Sequence, residues 1–214
     1  MRYAIQQAGE SRSFPAGDAF LANAVAPEVA EVMIHLGTPL RADDAKSAIL
    51  VELGAECLGV HTGETLGGEG SNVLGFCRYR NGADTPSDLV EIVRQKATPE
   101  TAIAAARAVF ESAGLQVAIC DDQAGRIIDR LVRPKYNAAL RFLDEGLATQ
   151  QDMDLTCRLG LGYRDGPIER VVRGGLAEHY DISKALFEIY GSQGYAPARR
   201  ATVAARRRGP ASNA

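Results

Sequence analysis

The 214-residue sequence predicts an α/β layer followed by an all-α domain, and three observations carry that reading. Short apolar runs of small and β-branched residues alternate with loops and helical patterns up to about residue 120. Helical periodicity then dominates almost to the end. Within the first half, strand, helix and strand follow one another, the order of a parallel sheet covered by helices.

Strands are expected at Arg2–Gln6, Ala48–Leu53, Cys57–Val60, Val73–Tyr79 and Val117–Cys120. Helical patterns run over Ala19–Leu36 and Pro99–Ala113. In the second of these, Thr98 offers an N-cap and Pro99 suits the first helical position. Ile103, Ala106, Val109 and Phe110 then make one apolar stripe before Gly114. After residue 120, Ala124–Glu145 reads as one helix, with Pro134 placed to bend it and Gly146 to end it. Thr149 caps a helix reaching Leu159, Pro167 opens the next, and Ile182–Tyr190 forms the last before Gly191.

Composition narrows the function. Hydrophobic residues make up 46% and charged residues 24%, which excludes a largely disordered chain. No apolar run approaches the roughly 20 residues of a membrane helix, and the N-terminus lacks a secretory pattern. A net charge of −3 provides no global field for nucleic acid. Cys57, Cys77, Cys120 and Cys157 are widely spaced and the three histidines scattered, so no metal site is expected. The expectation is a reduced, cytoplasmic protein with neither nucleic-acid nor membrane partners.

Two glycine-bearing loops invite a phosphate reading. Gly63–Gly70 has the glycine content of a phosphate cradle but not the Gly-Lys-Ser/Thr ending such a loop needs. The first strand is followed by Ala-Gly-Glu-Ser-Arg-Ser-Phe-Pro-Ala-Gly-Asp, without the Gly-x-Gly-x-x-Gly spacing that lets a backbone approach a pyrophosphate. Arg199, Arg200, Arg206, Arg207 and Arg208 cluster near the end, either as an anion-binding group or as a solvated helix end before a disordered tail at 209–214. His35 and His179 fall in helical patterns without acidic motifs and receive no role.

Six elements in register carry a resemblance. They are Asp-x-x-Gly at 122–125, Arg-Leu-x-x-Pro at 130–134, Glu-Gly-x-Ala-Thr at 145–149, Asp-x-Asp at 152–154, Leu-Gly-x-Gly-Tyr at 159–163 and Gly-Pro-x-Glu at 166–169. This stretch resembles the C-terminal domain of 3-hydroxyacyl-CoA dehydrogenases. Leu74-Gly-Phe-Cys-Arg-Tyr and Leu89-Val-Glu-Ile-Val are similar to the last strands of that family's nucleotide domain. The first 120 residues are too few for the whole nucleotide domain. The resemblance therefore implies a reduced Rossmann-like domain over 1–120 and a helical dimerisation domain over 121–208.

By resemblance, the implied activity is NAD-linked oxidation of a 3-hydroxyacyl-CoA in fatty acid metabolism. The family pairs a His that removes the hydroxyl proton with a Glu that orients it, while a Ser and an Asn hold the substrate oxygen. Here Glu91 stands in the Glu position, Cys77 in the His position and Asp129 in the Asn position. The Asn-Thr-Ser motif at a strand end reads His61-Thr62-Gly63. A thiol is mostly protonated at neutral pH and a poor base, and Asp129 would repel an oxyanion. His61 from a different strand end would have to meet Glu91 to rebuild the pair, whereas an arginine such as Arg78 holding Glu91 would prevent it. With the fingerprint absent, weak or no NAD binding is expected. The implied partners are acyl-CoA, a second copy of the chain, and a dehydrogenase chain for which this one would be an accessory subunit.

Overall fold

The computed structural model describes residues 1–208; the tail expected at 209–214 lies outside the described residues. The chain divides into two compact units, Met1–Arg80 with Pro86–Ile127, and Asn81–Thr85 with the chain from Ile128 onward.

The first unit is a six-stranded sheet of β1 (Tyr3–Gln7), β2 (Val32–Leu36), β3 (Ala48–Glu52), β4 (Val73–Arg78), β5 (Leu89–Arg94) and β6 (Gln116–Asp121). Strand order follows chain order. All neighbours are parallel except β4 and β5, which pair antiparallel. Helix α3 (Glu100–Ser112) lies on one face, where its stripe Ile103, Ala106, Val109 and Phe110 is buried as the sequence implies. Phe14, Phe20, Phe76 and Phe110 cluster there, with Phe14 and Phe20 stacked at 4.1 Å. The opposite face buries Met33, Ile49, Val51, Leu53, Leu58 and Val93.

Three local expectations change. The segment Ala19–Leu36 is not one helix: α1 covers only Ala19–Ala22, a 3-10 turn follows at Pro27–Val29, and Val32–Leu36 is β2. Pro27 holds Ala26 in an extended conformation (ψ 144°), and five consecutive buried residues fit a strand covered on both faces. Cys57–Val60 is not a strand. The amides of Leu58 and Gly59 donate to the Asp122 carboxylate at 2.6 and 2.8 Å, turning the chain into the single-turn helix α2 (Gly59–Thr62). Pro99 rather than Thr98 sits at the N-cap of α3, because the Thr98 hydroxyl accepts from the Gln95 amide instead.

The second unit packs α4 (Ile128–Asp144), α5 (Gln150–Leu161), α6 (Pro167–Arg173), α7 (Leu176–Tyr190) and α8 (Arg199–Arg207). Tyr136, Leu140, Ile168, Val171 and Ala198 make its core. Helix α4 starts four residues later than its periodicity suggests, because Gly125 and Arg126 take left-handed backbone conformations (φ 73° and 49°) that no α-helix accommodates. Thr149 caps α5 by accepting from the Asp152 amide, and Pro167 opens α6. Asp154 on α5 accepts from the amides of Ile168 and Glu169, satisfying two donors at the start of α6. Helix α7 begins before Ile182, since His179 packs inward rather than facing solvent. The arginine-rich end is helix α8. Arg199 and Arg200 pair with Asp144, and Arg208 with Asp181.

Candidate functional site

Cys77 on β4 and Glu91 on β5 are direct cross-strand partners, so both side chains belong to one face of the sheet. Glu91 is 3% exposed. One carboxylate oxygen accepts from the Ile127 amide at 3.0 Å, and the other faces Arg126 Nε at 3.5 Å. Arg126 is likewise 3% exposed and is the only non-glycine among the described residues with positive φ. A buried carboxylate is stable when charge-paired and hydrogen-bonded, and Glu91 has both. The nearby Cys120 thiol is pushed up to about 11 by burial and by the Glu91 charge.

The arginine that holds Glu91 is therefore Arg126 and not Arg78. Arg78 pairs with Asp18 at 2.9 Å, donates to the Ser87 carbonyl and lies over the Phe14 ring. No motif pointed to Arg126; its left-handed conformation next to Gly125 is a property of the folded turn.

His61 lies on α2, not at a strand end, and its Nε2 meets Glu56 Oε1 at 3.2 Å. Burial pushes the Glu56 carboxyl up, but the Gly54 amide and His61 outweigh it and hold the group below its usual value. The histidine thus pairs with a glutamate, but with Glu56 rather than Glu91.

Asp129 belongs to the helical unit. Its Oδ1 accepts from Arg133 Nε at 2.8 Å and faces Arg133 Nη2 at 2.7 Å. Arg133 Nη1 lies 3.3 Å from His179 Nδ1, and His179 Nε2 is 2.9 Å from Asn137 Oδ1. Burial, then the Arg133 charge, push His179 down to about 3, so the ring is neutral. Its Nε2–H donates to Asn137 and its Nδ1 accepts from Arg133. His179, given no role above, is thus part of a buried polar network.

Both glycine-bearing loops are closed by the chain's own carboxylates. Glu69 accepts from the amides of Thr65, Leu66 and Gly68 within Gly63–Gly70, and these bonds pull its carboxyl down to about 2. After β1, the Ser13 amide and the Ser11 hydroxyl donate to Glu52 Oε1 at 2.7 and 2.9 Å. Asp18 caps α1 by accepting from the Phe20 amide at 2.9 Å. Among the described residues no three His, Cys, Asp or Glu side chains gather to hold a metal ion. Nor is any described helix long and apolar enough to cross a membrane.

A family model described as "3-hydroxyacyl-CoA dehydrogenase, C-terminal domain" matches residues 125–214. Through its helical part, the chain is similar to the C-terminal domain of the 3-hydroxyacyl-CoA dehydrogenase family. It is 32% identical over 110 residues to 3-hydroxybutyryl-CoA dehydrogenase of Mycobacterium tuberculosis, which covers 51% of this chain and 38% of that protein. It is also 32% identical over 88 residues to the mitochondrial hydroxyacyl-coenzyme A dehydrogenase of Sus scrofa, covering 41% of this chain and 28% of that one. The chain thus spans well under half the length of these curated relatives. Among solved structures, M. tuberculosis FadB2 superposes with a TM-score of 0.70 at 21% identity, over 83% of this chain and 66% of that one. The (S)-3-hydroxybutyryl-CoA dehydrogenase PaaH1 of Ralstonia eutropha gives 0.68 at 19% identity, over the same shares. These two likenesses establish the fold, a Rossmann-like layer with a helical C-terminal domain.

NAD is the cofactor the dehydrogenase family implies, and the β1 loop does not fit it. A dinucleotide site presents free amides and a helix N-terminus to the pyrophosphate. Here the Ser13 amide is taken by Glu52, α1 is a single turn, and its start is capped by the Asp18 carboxylate. A pyrophosphate at this loop would meet two negative side chains.

Proposed function

We propose that this chain is a 3-hydroxyacyl-CoA dehydrogenase relative impaired as a stand-alone NAD-linked oxidoreductase, acting in a reduced, cytoplasmic setting. The observation that carries the reading is the engagement of Glu91. The glutamate that would orient a catalytic histidine faces Cys77 across the strand pair and spends its oxygens on Arg126 and the Ile127 amide. A thiol beside a carboxylate is a poor general base near neutral pH. Asp129, held by Arg133, offers a charged acceptor where the family's Asn donates a hydrogen bond. His61 is directed to Glu56 instead of completing the pair.

The test is NADH oxidation by purified protein with acetoacetyl-CoA. The expected rate equals the blank, and Cys77→His leaves it there because Glu91 stays bound to Arg126. Turnover above blank that titrates like a histidine and disappears in His61→Ala contradicts the reading.

A second reading is favoured by Glu52. With the β1 loop closed, the chain acts as a non-catalytic acyl-CoA-binding or accessory subunit beside a dehydrogenase chain that supplies the NAD site. Either role is compatible with a homodimer formed through the helical unit. The family resemblance supports that pairing, as do Leu155 and Leu159, one turn apart on α5 and 46% and 80% exposed.

A further inference from the structure

The helical unit carries a groove of about 410 Å³ between α4, the α4–α5 turn, α5 and the turn into α6. That volume lies within the range of small-molecule sites. Ala139, Phe142, Leu147, Met153, Leu161 and Pro167 make its walls apolar.

Among the described residues that line the groove, Lys135 is the cationic one. Lys135 is half-buried, with Nζ 4.3 Å from the Tyr163 ring centroid and 5.6 Å from that of Tyr136. Among the described residues, no carboxylate lies within 4.0 Å of this ammonium. Burial, and then Arg170, disfavour its charge and hold its pKa below the usual lysine value. An anion docking at Nζ would offset both costs.

The groove is also polarised along its length. Lys135 and Phe142 are two turns apart on α4, about 10 Å. Lys135 meets Tyr163, which closely follows the end of α5, whereas Phe142 and Leu147 lie toward the α4–α5 turn. The acidic lining residue, Asp152, is in the first turn of α5, where its carboxylate accepts from the Thr149 hydroxyl at 2.7 Å. A ligand with a negative head and an apolar tail matches this arrangement.

We propose that the groove binds a medium-chain alkanoate, its carboxylate on Lys135 Nζ and its alkyl chain along Ala139, Met153 and Phe142. The site lies within the helical unit and is independent of whether the chain performs redox chemistry.

Calorimetric titration of the full chain with hexanoate, octanoate and decanoate tests it, with octanol and octanoyl-CoA as comparison arms. Affinity is expected to rise about fourfold per added methylene. Octanol, lacking the charge, is expected to bind about tenfold more weakly than octanoate. Lys135→Met should reduce octanoate to the octanol level, while Lys135→Arg keeps the preference and shows that the groove still folds. Octanoyl-CoA, whose thioester has no carboxylate, should bind no more tightly than octanoate. Equal binding of octanol and octanoate overturns the proposal, as does an unchanged Lys135→Met variant. Octanoyl-CoA binding more tightly than octanoate in both wild type and Lys135→Met, or no binding because a second copy fills the groove, does so too.

Discussion

At the residue scale, Glu91 shows how the partners of a buried carboxylate are set by a turn distant in sequence. Its position beside Cys77 follows from strand register and was legible as a motif. Its engagement by Arg126 was not, because that contact depends on two left-handed residues 34 and 35 positions further on. Both charges are buried, so removing one leaves the other uncompensated. Glu91→Gln keeps an acceptor for the Ile127 amide but loses the ion pair, and is expected to destabilise the protein by about 3 kcal/mol in urea unfolding. A glutamate poised for catalysis alone would give little loss, since strained or unpaired active-site groups often stabilise when neutralised.

At the element scale, α4 and α7 are joined by a polar seam rather than an apolar one. Asp129, Arg133 and Asn137 on α4 meet His179 and Ser183 on α7. Burial and Arg133 hold His179 at about 3, against 6.5 ordinarily. Below about pH 6.5 the unfolded chain protonates this histidine, and the folded chain does not until about pH 3. The seam's contribution is therefore complete above pH 6.5 and is lost as the pH falls toward 3. Melting temperatures of wild type and His179→Gln, measured from pH 7.5 to 4.5, are expected to show the steeper acid decline in wild type. Parallel declines would contradict a buried neutral imidazole. The seam also explains the limits of the sequence. Periodicity and caps located α3, α5 and α6 because their signals are local: an apolar stripe, Thr149, Pro167. It missed the early turns of α7 because His179 looks polar in sequence and is satisfied only by residues on another helix. Likewise β2 was concealed within a helical pattern, since a short run of four apolar residues and His35 fits either structure until Pro27 and the neighbouring strands decide.

At the scale of the whole molecule, the resemblance in the second half was legible because its motifs combine several fixed turns and caps in one register. The first half was less so. Its sheet is built from short strands joined by loops that the chain seals with its own carboxylates, Glu52, Glu69 and Asp122, and such pairings leave no spacing to read. The exposed Leu155 and Leu159 on α5 make self-association through the helical unit the expected solution state. Light scattering at micromolar concentration should give twice the chain mass, and a monomer would argue against that surface. The most direct test of the account is calorimetric titration of NADH into the full chain, alone and with saturating acetoacetyl-CoA. With Glu52 on the Ser13 amide and Asp18 capping a single-turn helix, no binding heat is expected below about 100 μM NADH, where a loss of more than 2.7 kcal/mol relative to a low-micromolar site would place it. Low-micromolar affinity for NADH by the chain on its own would contradict it.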